Sequence, residues 1–479
     1  MTAHEMVPDG VQTSTSDGAV SWWSPQPPAV APVEITVGRG ATIEVDAAYP
    51  GRVLSWVLAP GGDIDALATA FCDTGLTELI EHAISNGVTV TMAPAPHLTG
   101  PWIRRALVAA VQRWAVRPVD ESALILDEAS SQYRTGNTPA AARLFALASP
   151  TLMALGRQCL DGDLVGGPAE ELREITRDAS QAVTDAGWGS DILELAAALQ
   201  AGSVLDDLVL AEALSQWELA DIVGASHLGA DTLGPQTDQL SVDAAAIDPA
   251  TVPPRVLAWS GAGDREMLVE YDVDADQATV SVALAADVDP LCLETQQLLA
   301  YCAEKDTGRM VASVPLQVQG RSVIAQLPCR GFHPDVLHFG VYCADTDLDS
   351  LRLNEVGQLQ MTVDRWMLDA WNHHRTALAA VHTVPADADE TLLDTAAQVR
   401  DDHIERAITA ADTAAATITE YLAQHPDSSE EIVTALQARH EVILGYLADL
   451  DTAFTSEAGD VPSLLAEMIP ADPWDEDDN

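Results

Sequence analysis

The chain has 479 residues, 74 acidic and 23 basic, for a formal charge of -51. Hydrophobic residues make up 47%, which excludes wholesale disorder, and no apolar run approaches the roughly 18 residues of a membrane span. At roughly 150 residues per domain this length suggests about three domains.

Residues 1–32 read as a disordered tail rich in Ser, Pro and Ala, with no period of 2 or 3.6 and no signal-peptide pattern. The Trp22-Trp23 pair stands out in such a tail and is a candidate for docking on another protein. Residues 33–98 read as a small α+β unit. Ile35, Val37, Ile43 and Val45 alternate with polar residues around Gly38-Arg39-Gly40, a hairpin signal. A strand over 52–58, helices over 63–71 and 76–85 and a strand over 88–92 follow.

Residues 99–232 read as a helical region. Ile103, Leu107, Val111 and Trp114 recur at helical spacing. Thr138-Pro139 starts a helix expected to run to 159 with a kink at Pro150. Further helices are expected over 168–186 and 190–223, with a linker at 233–254. Residues 255–350 carry about seven short alternating strands, including a hairpin turn at Lys305-Asp306-Thr307-Gly308 and a last strand over 336–344, which predicts an antiparallel β-sandwich. Residues 351–470 predict a helical bundle, with helices over 356–382, 387–423 and 428–454, the last opened by a Ser428-x-x-Glu431 capping box. Residues 471–479 form an acidic tail. The fold class is thus α+β and multidomain.

The charge is spread over every segment. A small domain tuned for solubility carries about 2 to 8 charges in magnitude, so three domains fall well short of this total. Self-repulsion at that level calls for screening by salt. A high-salt setting predicts a melting temperature that rises with added NaCl. Lys305 is the only lysine. Without clustered bases, binding to nucleic acid or to an anionic membrane is not expected. Six cysteines in this length suggest free thiols and a cytoplasmic setting.

Residues 123–132 (ALILDEASSQ) resemble the Walker B strand of ABC-type ATPases, with Asp127-Glu128 in the metal and base positions. The resemblance covers fewer than a dozen residues, and no phosphate loop accompanies it. An amphipathic helix over 120–133 explains the same pattern. Cys329, His333, His338 and Cys343 offer soft zinc ligands, but His338 and Cys343, five apart on one strand, point to opposite faces. Arg365, Asp369 and His373 share one helix face, with His374 beside them, and Asp369–His373 is a candidate metal or acid–base pair. There is no HExxH, GxSxG, GxGxxG or CxxC. The expected function is a non-enzymatic scaffold or regulatory interaction protein that binds another protein and needs no cofactor. The alternative is a metal-dependent hydrolase, with zinc, whose site is assembled from distant residues.

Overall fold

The computed structural model describes residues 10–13, 19–73, 75–86, 90–91, 96–116, 119–186, 190–199, 239–241, 247–259, 267–272, 275–285, 288–385, 388–452 and 463–469. Much of the expected linker, the helix expected beyond residue 199 and the acidic tail lie outside the described residues.

The chain is mixed α+β. In order come β1 (Gly10–Thr13), β2 (Val20–Trp23), β3 (Pro32–Val37), β4 (Ala41–Asp46), β5 (Val53–Leu58), α1 (Ile64–Phe71), α2 (Gly75–Asn86) and β6 (Val90–Thr91). Then follow α3 (Gly100–Trp114), α4 (Glu121–Arg134), α5 (Thr138–Leu147), α6 (Ser149–Asp161), α7 (Gly166–Ala186) and α8 (Ser190–Leu199). The second β region holds β7 (Gln239–Ser241), β8 (Met267–Asp272), β9 (Gln277–Ala283), the short α9 (Leu293–Gln296), β10 (Leu298–Glu304), β11 (Met310–Pro315), β12 (Gln317–Gln319), β13 (Ser322–Pro328) and β14 (Leu337–Cys343). The C-terminal helices are α10 (Glu355–Thr383), α11 (Glu390–Gln424), α12 (Glu430–Thr452) and α13 (Leu465–Met468).

The first sheet has the order β3-β4-β5-β2-β1-β6 and is antiparallel. Its β3–β4 turn uses Gly38 and Gly40, both at positive φ as that tight reversal requires. β2 corrects the tail expected over 1–32. Its residues pair with β5 in the sheet interior, Trp22 lies opposite Trp56, and both indoles are fully buried. Trp22 is therefore a core residue and not an exposed one as a docking element requires; Trp23 is half-buried beside it. The local composition is that of a tail, but the strand exists because β5 offers it an edge 30-odd residues later.

Asp63 caps α1 by accepting from the Ala66 amide (3.0 Å), and Asp120 caps α4 through the Ala123 amide (2.8 Å). Residues 123–132 thus lie on a helix, not a strand. Pro150 does not kink one long helix. It occupies the first turn of α6, where its missing N–H costs nothing, so α5 and α6 are separate. Ser429, rather than Ser428, supplies the hydroxyl that accepts from the Ile432 amide at the start of α12 (3.4 Å).

One continuous apolar core runs from Val20 and Trp56 through α3, α4 and α7 to Trp371, Ile443 and Leu465. The C-terminal helices are thus built onto the N-terminal sheet. Trp371 donates its indole N–H to the Ala47 carbonyl (2.9 Å), Tyr49 donates to Asp449 (2.5 Å), and Asn372 accepts from the Val116 amide (2.9 Å) while donating to the Trp114 carbonyl (3.0 Å). A second core belongs to residues 247–343. It is shared by a three-stranded sheet, β11-β10-β14, and a five-stranded sheet, β12-β13-β9-β8-β7. The strand that follows the Lys305–Gly308 turn divides at buried Leu316, so that β11 and β12 enter different sheets. No helix among the described residues is long and apolar enough to cross a membrane.

Candidate functional site

Of the residues singled out by sequence, Asp369 and His373 come together and gain a partner. They lie one turn apart on α10, with His373 Nε2 3.9 Å from an Asp369 carboxylate oxygen. On α11, buried His403 brings its Nδ1 within 3.1 Å of His373 Nδ1. Only one of the two facing nitrogens can carry the bridging proton, so the two rings hold complementary tautomers. Burial lowers the pKa of His373, against the pull of Asp369. Asp369 and His373 border a surface cleft of about 510 Å³ that is also lined by Trp366, Asp402, Glu405 and Arg406, with His403 buried behind them. His403 was recoverable from periodicity, since it continues the buried face of Val399 and Ala407. Arg365, two turns before His373, is buried and sets its guanidinium over the Trp259 ring.

The other four candidates do not converge. Cys329 is fully buried, and its thiol donates to the Leu327 carbonyl (3.6 Å). His333 is exposed beside Asp335, with Nδ1 to carboxylate 3.2 Å. His338 lies on β14, its pKa lowered to about 4 by burial and by Lys305. The Cys343 thiol faces Gln297 Oε1 at 3.9 Å. Among the described residues no group of three or more His, Cys, Asp or Glu side chains could hold a metal ion.

The most constructed feature is a groove that holds residues 463–469. Ser463, Leu464, Leu465, Ala466, Glu467 and Met468 are each 3% exposed or less. Two buried ionic groups fix this segment. Asp127 on α4 accepts from the first amides of α13, Leu465 N (3.2 Å) and Ala466 N (3.0 Å). Arg104 on α3 bridges Asp127 (2.5 Å) and Glu171 on α7 (2.7 Å). Burial pushes the Asp127 carboxyl up to about 7, against the opposing pull of Arg104 and the two amides.

At the other end, Arg375 on α10 forks onto Glu467, Nε donating to Oε1 (2.8 Å) and Nη2 to Oε2. The same carboxylate accepts from the Leu464 amide (2.8 Å), which closes the turn on itself. His382 and Ser463 are joined through Nδ1 and Oγ (2.8 Å). Gly167 makes room: a Cβ there would lie 1.8 Å from the His382 carbonyl oxygen and 3.3 Å from Met468 Sδ. The segment is therefore held through two helix-start amides, one carboxylate and apolar side chains.

Sequence reasoning missed this site because its parts come from α3, α4, α7 and α10. The available signal was local: an apolar Leu-Leu-Ala with Met468, and one glutamate among them, set in an otherwise acidic chain end. No family model, curated protein or solved structure matches this chain.

Proposed function

We propose that this is a non-enzymatic interaction protein, a scaffold or regulator, whose working part is the groove that holds residues 463–469. One observation supports this reading above others. A segment joined to the rest by residues 453–462 is seated in the groove by directed, buried polar contacts in addition to apolar ones. Ordinary core packing needs no such code, and replacing a buried ion pair by apolar residues of similar volume is often neutral for stability. The partner would be another protein carrying a short helical turn with the same chemistry: two apolar residues, a small residue, then glutamate. In this reading residues 255–350 form a β-sandwich module, the long C-terminal helices act as a bundle, and the acidic surface suits a salt-rich cytoplasm.

A protease site placed within residues 453–462 tests the proposal. After cutting, the released C-terminal fragment should leave the folded remainder on gel filtration in dilute solution, with the circular dichroism of the remainder kept. Loss of the whole fold on cutting would make the segment a core element only.

A catalytic reading has the Asp369–His373–His403 cleft on its side, through the acid–base character of that trio. Stoichiometric zinc in the purified protein would favour a hydrolase over a scaffold.

A further inference from the structure

We infer that His373 and His403 form a two-ligand chelate for a divalent transition-metal ion, held between their Nδ1 atoms, with Asp369 fixing the His373 ring from behind. The site is separate from the groove that holds residues 463–469, and it stands whether or not the cleft is catalytic.

The two rings come from facing helices, α10 and α11, which is how metal sites are built between the helices of a bundle. Their Nδ1 atoms are 3.1 Å apart, the ring centroids are 5.3 Å apart and the planes are tilted by 40°. The rings therefore meet by their nitrogen edges and do not stack. A histidine nitrogen binds zinc at roughly 2.0–2.1 Å. An ion at that distance from two nitrogens 3.1 Å apart makes an N–metal–N angle of about 100°. That value lies between the octahedral and tetrahedral ones, and a turn of each ring about its Cβ–Cγ bond aims the lone pairs at the ion.

The protonation state suits a ligand, because a metal takes the neutral imidazole with a bare lone pair. Burial favours the neutral form of His373, against the pull of Asp369, and His403 is only 5% exposed. The Asp369 carboxylate lies on the far side of His373, 3.9 Å from Nε2. A negative group there favours the proton on Nε2 and leaves Nδ1 bare. Carboxylates support metal-bound histidines in this way. In the metal-free protein one proton bridges the two Nδ1 atoms. On binding it moves to an outer nitrogen, so the pair takes up the ion without losing a proton.

The surroundings favour a cation. The cleft beside His373 is lined by Asp369, Asp402 and Glu405 against Arg406, and its 510 Å³ leave room for water to complete the coordination. Among the described residues no third His, Cys, Asp or Glu joins the pair as a ligand. Two protein ligands hold an ion exchangeably, unlike the three or four of a catalytic or structural zinc. With imidazole ligands, Cu²⁺ should bind ahead of Ni²⁺ and Zn²⁺.

The test is equilibrium dialysis of the full chain against micromolar Cu²⁺. Wild type should bind one Cu²⁺ per chain more than His373→Gln or His403→Gln, whatever other sites the chain carries. Asp369→Asn should keep that ion with about 10–100-fold weaker affinity and an unchanged circular dichroism spectrum, the effect of removing a carboxylate behind a histidine ligand. Wild type alone gives a second readout that holds even if a variant folds poorly. Cu²⁺ with ascorbate in air oxidises the side chains that hold the ion, so peptide mapping by mass spectrometry should find His373 and His403 oxidised. Equal copper in wild type and a folded His373→Gln, or oxidation of wild type that spares both histidines, would overturn the inference. Undiminished affinity in Asp369→Asn would overturn the role given to Asp369.

Discussion

Arg375 and Glu467, 92 residues apart in sequence, form a two-pronged ion pair whose side chains are 6% and 2% exposed. Such a pair is costly to bury and costlier to break, because each partner alone is an uncompensated charge in the interior. It joins the middle of α10 to a four-residue helix that has few contacts of its own along the chain. Geometry of this kind fixes which segment fits and in which register.

Glu467→Gln should cost about 3–5 kcal/mol of stability in urea unfolding, since Arg375 is left charged and buried. Replacing both residues by methionine should recover most of that loss, because apolar side chains of similar volume remove the charge from both sides. A single variant that loses less than about 1 kcal/mol, the scale of an exposed pair, would show that water reaches the site.

Asp127 gives the groove a pH dependence. Its folded carboxyl titrates near about 7, against an ordinary unfolded value of about 3.9. The fold therefore holds the proton more tightly than the unfolded chain does. That contribution is present in full below about pH 3.9 and is lost as pH rises through 7. The stability of wild type minus that of Asp127→Asn, followed by denaturant melts from pH 4 to 7.5, should fall steadily. An increase over the same window would contradict the assignment.

His374 works in the opposite sense. It is packed against Tyr446, Nδ1 to hydroxyl 3.2 Å, and burial lowers its pKa to about 3. A histidine kept neutral in the fold gives stability that is present in full above about pH 6.5 and is lost as pH falls toward 3. His374→Gln should therefore lose less stability than wild type between pH 6.5 and 4. Parallel curves for the two proteins would place the acid sensitivity elsewhere, for instance at His338 or His373.

Trp22→Ala should destabilise the protein by about 3–5 kcal/mol, the range for removing a buried aromatic side chain. Trp23→Ala should cost less, as Trp23 is only half-buried. Calorimetric melting of the two variants separates a core role from a docking role. A Trp22→Ala protein that melts like wild type would restore docking as the explanation.

What was legible in the sequence was what neighbours decide. Gly38 and Gly40 mark the β3–β4 reversal, Gly308 closes the turn after β10, and Pro139 sits in the first turn of α5. What was not legible depends on distant partners. β2 is a strand because β5 pairs with it, and its own residues read as tail. His403 meets His373 only because α10 and α11 pack with those faces together. Residues 463–469 are ordered by Asp127 and Arg375, and neither is near them in the chain. Periodicity says which face is apolar; it does not say what that face will meet.

The most direct measurement uses the protein cut within residues 453–462 and a fluorescent peptide of residues 462–470, followed by anisotropy. The reading proposed here predicts saturable binding that an unlabelled copy competes away, with binding at least tenfold weaker for a peptide carrying Glu467→Gln, since a charge-assisted hydrogen bond is worth about 1.5–3 kcal/mol. No binding to a cut protein that keeps its fold, or equal binding of the two peptides, would contradict it.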